Sequence, residues 1–356
     1  MRKQYLDHTR SITVILVLIY HVIYMFNSVQ TDGVIGPFME IQYQDVYQYL
    51  VYPWFMLLLF VISGMSSRFY LERHSDREFI RSRTVKLLVP STLGLFVFWW
   101  IQGYYNMTIA GAFMQFPVEM PKVVLFFIMI LSGTGVLWYI QLLWFFSVLL
   151  VFLRKFEKDR FYMKCEKAGI LILLLMTPVI YLSAQVLNTP LIVVYRFGIY
   201  GMGFLIGYFI LSHETVMKRL GNIRWVLSVS ALLLAILFIK VFWLAPYADH
   251  VVLDSLLCNV YAWIMVLAIL SMMHTYGNVE SSILTWLKNK SWGLYLFHYL
   301  PISMTALYLH LYASFLPAWI HYLLCAFTGF AGALLLDTVI RRIPVLCFLV
   351  MGIKKK

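Results

Sequence analysis

Apolar residues along this chain come in long, nearly unbroken runs. They lack the two-residue alternation of a half-buried strand and the narrow stripe of a water-facing helix. A membrane-spanning helix needs about 20 mostly apolar residues. Runs of that kind lie near 11–27, 48–67, 87–109, 136–153, 168–187, 191–211, 225–244, 253–274, 291–313 and 318–340. A further run, 122–131, is short and leads into Ser132-Gly-Thr-Gly135, which predicts a re-entrant or interfacial helix. No repeat or low-complexity segment interrupts the series, and the outer connections are short apart from 28–47. The pattern predicts an all-α, polytopic membrane helix bundle of about ten transmembrane helices. One domain is expected over 1–345, followed by a basic cytoplasmic tail at 346–356.

Composition agrees: 62% of the 356 residues are hydrophobic and 12% charged, against about 25% charged in soluble domains. The net charge of +12 would suggest nucleic acid in a soluble protein. Here it reads as topology, and no nucleic-acid partner is expected. With ten spans and the N-terminus inside, all of the 28 Lys and Arg except Lys122, Arg196 and Lys240 fall on the inner side. Asp32, Glu40, Asp45, Glu119 and Asp249 fall on outer loops. This bias predicts cytoplasmic termini. The start, Arg2 and Lys3 before an apolar run, lacks a small-x-small cleavage site and reads as a retained first span. Cys165, Cys258, Cys325 and Cys347 show no metal or redox spacing and are expected to be packing thiols.

Chemistry enters through ionisable residues inside apolar runs, which are costly in lipid and usually functional. Arg10 and His21 are 11 residues apart. At 100° per residue they end about 20° from the same heading, roughly 16 Å apart along the axis. His21, in mid-run, is a candidate general base. Arg10, at the cytoplasmic mouth, is a candidate cation for an anionic group. The competing reading makes Arg10 a topology anchor and His21 a hydrogen-bonded core residue. The loop Ser67–Pro90 carries Arg68, Arg73, Arg77, Arg81, Arg83 and Lys86. If it is helical, Arg83 and Lys86 share a face that suits a polyphosphate; a lipid-headgroup anchor is the alternative. Gln141 lies in a span among Trp138, Tyr139 and Trp144, to orient a substrate or to bond across helices. His298 is a second intramembrane imidazole, either a partner to the first or a core residue. Arg196 is a candidate acceptor contact, with snorkelling as the alternative for it and for Lys240. Ser63-Gly64 and Gly203-x-x-x-Gly207 read as close-packing sites.

Taken in order, these residues resemble acyltransferase family 3, the integral-membrane acyltransferases of bacterial surface glycans. The resemblance runs through Leu6-Asp7-x-x-Arg10, the Arg10–His21 spacing and Phe60-Val-Ile-Ser-Gly64. It continues through Arg83-x-x-Lys86-Leu-Leu-Val-Pro90, Leu137-Trp138-Tyr139 and Ser291-x-Gly-x-Tyr-x-x-His298. Tyr52-Pro-Trp and the size are similar to glucan-modifying, succinyl-type members. The resemblance implies transfer of an acyl group, acetyl or succinyl, from cytoplasmic acyl-CoA to a hydroxyl of a glycan or lipid-linked sugar. It implies a multi-pass protein of the bacterial plasma (inner) membrane, surrounded by lipids. Acyl-CoA is then the donor substrate, and no permanently bound cofactor or metal is expected. His21 and Arg10 would be catalytic, with Arg10, Arg81, Arg83 and Lys86 on the CoA. His298, Gln141, Trp138 and Arg196 would bind substrate. Lys86 stands where the family more often has Arg, which removes bidentate phosphate contact there. Gln141 stands where some O-antigen acetylating members have acidic residues, so the acceptor class does not carry over. An exporter or flippase of polysaccharide or lipid-linked sugar is the other reading, though the repeated halves typical of transporters are missing. Oligomeric state stays open, since the aromatic surface suits lipid or a second copy.

Overall fold

The computed structural model describes residues 3–30, 33–116, 120–189 and 194–354. Arg2, Asp32, Glu119 and the last two lysines, which entered the charge pattern, lie outside them, as does the start of the run at 191–211. The described residues are helical with turns and loops between, apart from one isolated bridge, Asn188 to Arg196. The chain divides into two compact units. One comprises Met1–Thr13, Tyr49–Ser82 and Leu142–Lys288; the other comprises Val14–Gln48, Arg83–Gln141 and Asn289–Lys356.

Among the described residues, seven helices are long and apolar enough to cross a membrane, so this is a multi-pass membrane protein. They are α1 (Gln4–Tyr24), α2 (Tyr43–Leu71), α3 (Asp76–Ile109), α5 (Gly135–Glu157), α10 (Arg224–Phe242), α11 (Leu256–Tyr276) and α14 (Ala318–Arg342). Between them run the shorter α4 (Lys122–Ser132), α6 (Arg160–Cys165), α7 (Ile170–Ala184), α8 (Phe197–Leu211) and α9 (Glu214–Asn222). The expected span at 291–313 is two helices, α12 (Ser282–Phe297) and α13 (Tyr299–Tyr312); α15 (Pro344–Met351) follows α14. The break has a local cause. Pro301 has no N–H to offer the carbonyl four residues earlier, and its ring crowds that carbonyl. The interruption falls at His298. At 1.5 Å per residue α4 spans about 16 Å, half the roughly 30 Å hydrocarbon thickness, so it is too short to cross as a single helix.

In the first unit, α2 and α8 meet backbone to backbone. A Cβ on Gly64 would lie 1.9 Å from the Phe204 carbonyl oxygen, and one on Gly207 would lie 2.1 Å from that of Val61. Only hydrogen fits at either place, so the close-packing expectation holds. Arg68 of α2 lies over the Tyr162 ring at 3.5 Å and pairs with Asp159 at 2.6 Å. In the second unit, α4 packs on α3 at Gly103 and Gly133, whose Cβ positions fall within 2.1 Å of the Met129 and Trp99 carbonyl oxygens respectively. A core of Leu18, Val22, Met25, Phe26, Ile302, Ala306 and Cys325 joins α1, α13 and α14. Asp337, fully buried on α14, pairs with Arg341 at 2.8 Å and Lys290 at 3.5 Å. The four cysteines are buried and unbridged, as packing thiols should be.

Candidate active site

The second unit brings His21 and His298, 277 positions apart in sequence, into hydrogen-bond contact: His298 Nε2 lies 3.1 Å from His21 Nδ1. The local folding of each histidine determines which nitrogen carries the proton. His298 sits at the α12–α13 interruption, fully buried, with Nδ1 facing the carbonyl oxygens of Leu294 at 2.9 Å and Tyr295 at 3.0 Å. Carbonyls only accept. Nδ1 of His298 is therefore the N–H nitrogen, and in the neutral ring Nε2 holds the lone pair. His21 Nδ1 then faces two acceptors, this lone pair and the Val17 carbonyl oxygen at 2.9 Å. It must carry hydrogen as well. The remaining nitrogen, His21 Nε2, takes part in neither contact and holds the lone pair of a neutral base. Protonating His298 at Nε2 would set two donors against each other, so the geometry favours a neutral His298 that orients His21.

Aromatic rings frame His21. Tyr299 lies 4.7 Å from it, centroid to centroid, Tyr20 lies 5.0 Å away edge-on, and Tyr24 lies 6.4 Å away. A polar network continues beside Tyr299. Gln102 of α3 donates through Nε2 to Asn106 Oδ1 at 2.8 Å and to Ser303 Oγ at 3.1 Å. Asn106 Nδ2 in turn donates to the Ser132 carbonyl at 2.8 Å, and Ser303 Oγ donates to that of Tyr299 at 2.8 Å. The Tyr295 hydroxyl donates to the Val136 carbonyl. Sequence reading passed over Gln102 and Asn106. Their signal was present: two amides at i, i+4 within an apolar run, flanking the small Gly103.

The other candidates separate. Arg10 of α1 donates to Ser66 Oγ at 2.9 Å and lies 4.0 Å from Asp7 Oδ1; α1 is continuous, so Arg10 and His21 keep their common heading along it. Arg83 and Lys86 lie where α3 widens into a π turn over Thr84–Leu88. A three-residue offset covers less of that wider turn, so the face expected to be shared at i, i+3 is not that of a regular α-helix. Lys86 lies 5.3 Å from the Trp292 ring. Arg81 lines a groove with Arg77 and Lys155. Gln141 donates across helices to the Ser91 carbonyl at 2.9 Å, and Trp138 stands edge-on to Tyr139 at 6.5 Å. Arg196, 4% exposed, donates to Asp254 Oδ1 at 2.9 Å and to the Leu253 carbonyl at 3.1 Å. That ion pair ties the start of α8 to the turn before α11. Arg196→Ala is expected to destabilise the protein by about 2 kcal/mol, because it removes the charged partner of a partly buried carboxylate, leaving it only His250 at 3.4 Å, and frees the Leu253 carbonyl. A melting midpoint in detergent equal to that of the unsubstituted protein would contradict this.

The family model described as an acyltransferase domain matches residues 3–338, a stretch that holds the histidine pair, Arg10 and every other candidate above. No curated protein matches the chain, and no solved structure does. With the match covering nearly the whole length, the chain belongs to acyltransferase family 3.

Proposed function

We propose that the chain moves an acyl group, acetyl or succinyl, from cytoplasmic acyl-CoA to a hydroxyl of a cell-surface glycan or lipid-linked sugar. The observation that carries this reading is the histidine pair, whose hydrogen bonds leave His21 Nε2 as an oriented base. In the reaction the acceptor hydroxyl oxygen attacks the thioester carbonyl while His21 Nε2 takes its proton. The tetrahedral adduct collapses, the C–S bond breaks, and the proton passes from His21 to the departing thiolate. Ester and free thiol are formed and the imidazole is regenerated. While His21 is charged, its Nδ1–H points at His298 Nε2 and the Val17 carbonyl, which stabilise the cation. His298 is thus a positioning residue with the role a carboxylate has in a Ser-His-Asp triad.

Arg10 is proposed to hold the donor's phosphates, about 16 Å along α1 from His21, a length suited to an extended pantetheine arm. Arg83 and Lys86, on α3, are proposed as further cations for the donor. Gln102, beside the Tyr299 ring, suits the acceptor side. Counting α12 with α13 as one kinked crossing, and including α7 and α8, gives about ten crossings with both termini cytoplasmic. The inner-side bias of Lys and Arg supports this arrangement, and the plasma membrane of a bacterium is the proposed location.

Donor binding tests the reading without knowledge of the acceptor. Calorimetric titration of acetyl-CoA and succinyl-CoA into the detergent-purified protein is expected to give saturable binding. Arg10→Ala and Arg83→Ala should each weaken it by about tenfold, the worth of a charge-assisted hydrogen bond. Folded protein that binds neither donor would end this reading in favour of export.

A further inference from the structure

In the first unit, the first turns of α3 and the last turns of α5 line a groove of about 970 Å³. Its charges are unbalanced. Of its two acids, Asp76 is paired with Arg154. Glu78 accepts from the Ser75 backbone N–H and hydroxyl, both at 2.9 Å. Its three cations, Arg77, Arg81 and Lys155, are exposed and make no ion pair among the described residues. Arg77 and Arg81 share a helix face at i, i+4, and Lys155 comes from the other helix. Arg83, two residues beyond Arg81, is turned about 200° away. Hydrogen bonds from the neutral Ser75 leave Glu78 its charge, which offsets one cation in part; three cations against this one carboxylate still leave the groove positive and suited to an anion.

The groove also has an apolar side, Ile80 and Val151. Next to Val151 and Lys155 on α5 stand Phe152 and Phe156, 56% and 71% exposed. On a membrane-crossing helix these rings meet acyl chains, and Lys155 lies in the last turn, where such a helix leaves the hydrocarbon. A soluble phosphate needs only the cations. Cations continuous with an apolar, lipid-facing wall match a phosphate that carries a fatty chain.

We propose that this groove binds the headgroup phosphate of an anionic phospholipid, with Arg77, Arg81 and Lys155 around the phosphate and an acyl chain along Val151 and Phe152. Arg81 is then a lipid ligand and leaves the donor-binding set. The proposal holds whichever donor the protein uses.

The test is native mass spectrometry of the full chain in detergent, titrated separately with phosphatidylglycerol and phosphatidylcholine. The unsubstituted protein should retain phosphatidylglycerol preferentially. Removing a surface cation should cost roughly fivefold in retention, and Arg81→Ala/Lys155→Ala roughly 25-fold. Phosphatidylcholine retention should not change, and coenzyme A should not displace the phosphatidylglycerol. Should the double variant unfold, Lys155→Gln alone carries the test at fivefold. Equal retention of the two lipids, or variants that retain phosphatidylglycerol normally, would overturn the proposal. So would displacement by coenzyme A, which would return the groove to the donor.

Discussion

Replacing His21 by Ala is expected to lower acyl transfer on the order of 10²–10⁴-fold, the usual worth of a positioned general base, while the protein stays folded. His21 is part-buried at the edge of the aromatic frame, and its loss leaves α1 otherwise intact. His298→Ala should also lower turnover, for a different reason. It removes one of the two acceptors that face His21 Nδ1 and leaves only the Val17 carbonyl, so the ring is held less firmly in its tautomer and orientation and its cation is less stabilised. His298→Gln separates this role from a packing role, because its side-chain oxygen can accept from His21 Nδ1. The Gln variant should recover a substantial part of the turnover lost in the Ala variant. Both should leave the acyl-CoA dissociation constant unchanged. The measurement is initial rate against acyl-CoA concentration, read as separate kcat and KM. Full activity in His21→Ala would remove the base. A His298→Gln enzyme no better than His298→Ala, with normal KM, would remove the tautomer argument and leave His298 as packing.

The second large effect is on stability. Gly64→Ala places a Cβ 1.9 Å from the Phe204 carbonyl oxygen and 2.9 Å from the Tyr208 nitrogen. Both obstacles are backbone, so no side chain can rotate away, and α2 and α8 must separate by more than 1 Å. Overpacking of this kind costs about 3 kcal/mol. In a membrane the close approach is itself the main attraction between helices, since lipid tails compete equally for apolar side chains. Gly169→Ala is the control: nothing lies within 4 Å of its Cβ position, and its backbone is extended. The melting midpoint in detergent should fall by on the order of 5 °C or more for Gly64→Ala and stay level for Gly169→Ala. Equal midpoints would show that the helices accommodate the methyl group.

The Gly64 result follows from a pattern visible in the chain, whereas the His298 result does not. The adjacent small residues Ser63-Gly64, and Gly203 and Gly207 four apart, stand in apolar runs and point to close packing, because the need for a near backbone has one chemical solution. The same holds for Arg10 and His21, whose common heading needs only the repeat of one unbroken helix. The break of the expected 291–313 span was also within reach, since Pro301 stands inside it; the long apolar run outweighed that local signal.

What sequence alone determined is what short-range physics dictates: an all-helical membrane protein, the placement of its apolar runs, the glycine contacts, the buried thiols and the family. Tertiary structure alone decided which distant residues meet. It set His298 against His21 and Gln102 against Ser303. It enclosed Arg196 with Asp254, widened α3 where Arg83 and Lys86 were expected to align, and gathered Arg77, Arg81 and Lys155 around one groove. Periodicity tells which way a side chain points on its own helix. The partner it meets depends on how helices far apart in the chain pack, and no single helix carries that information.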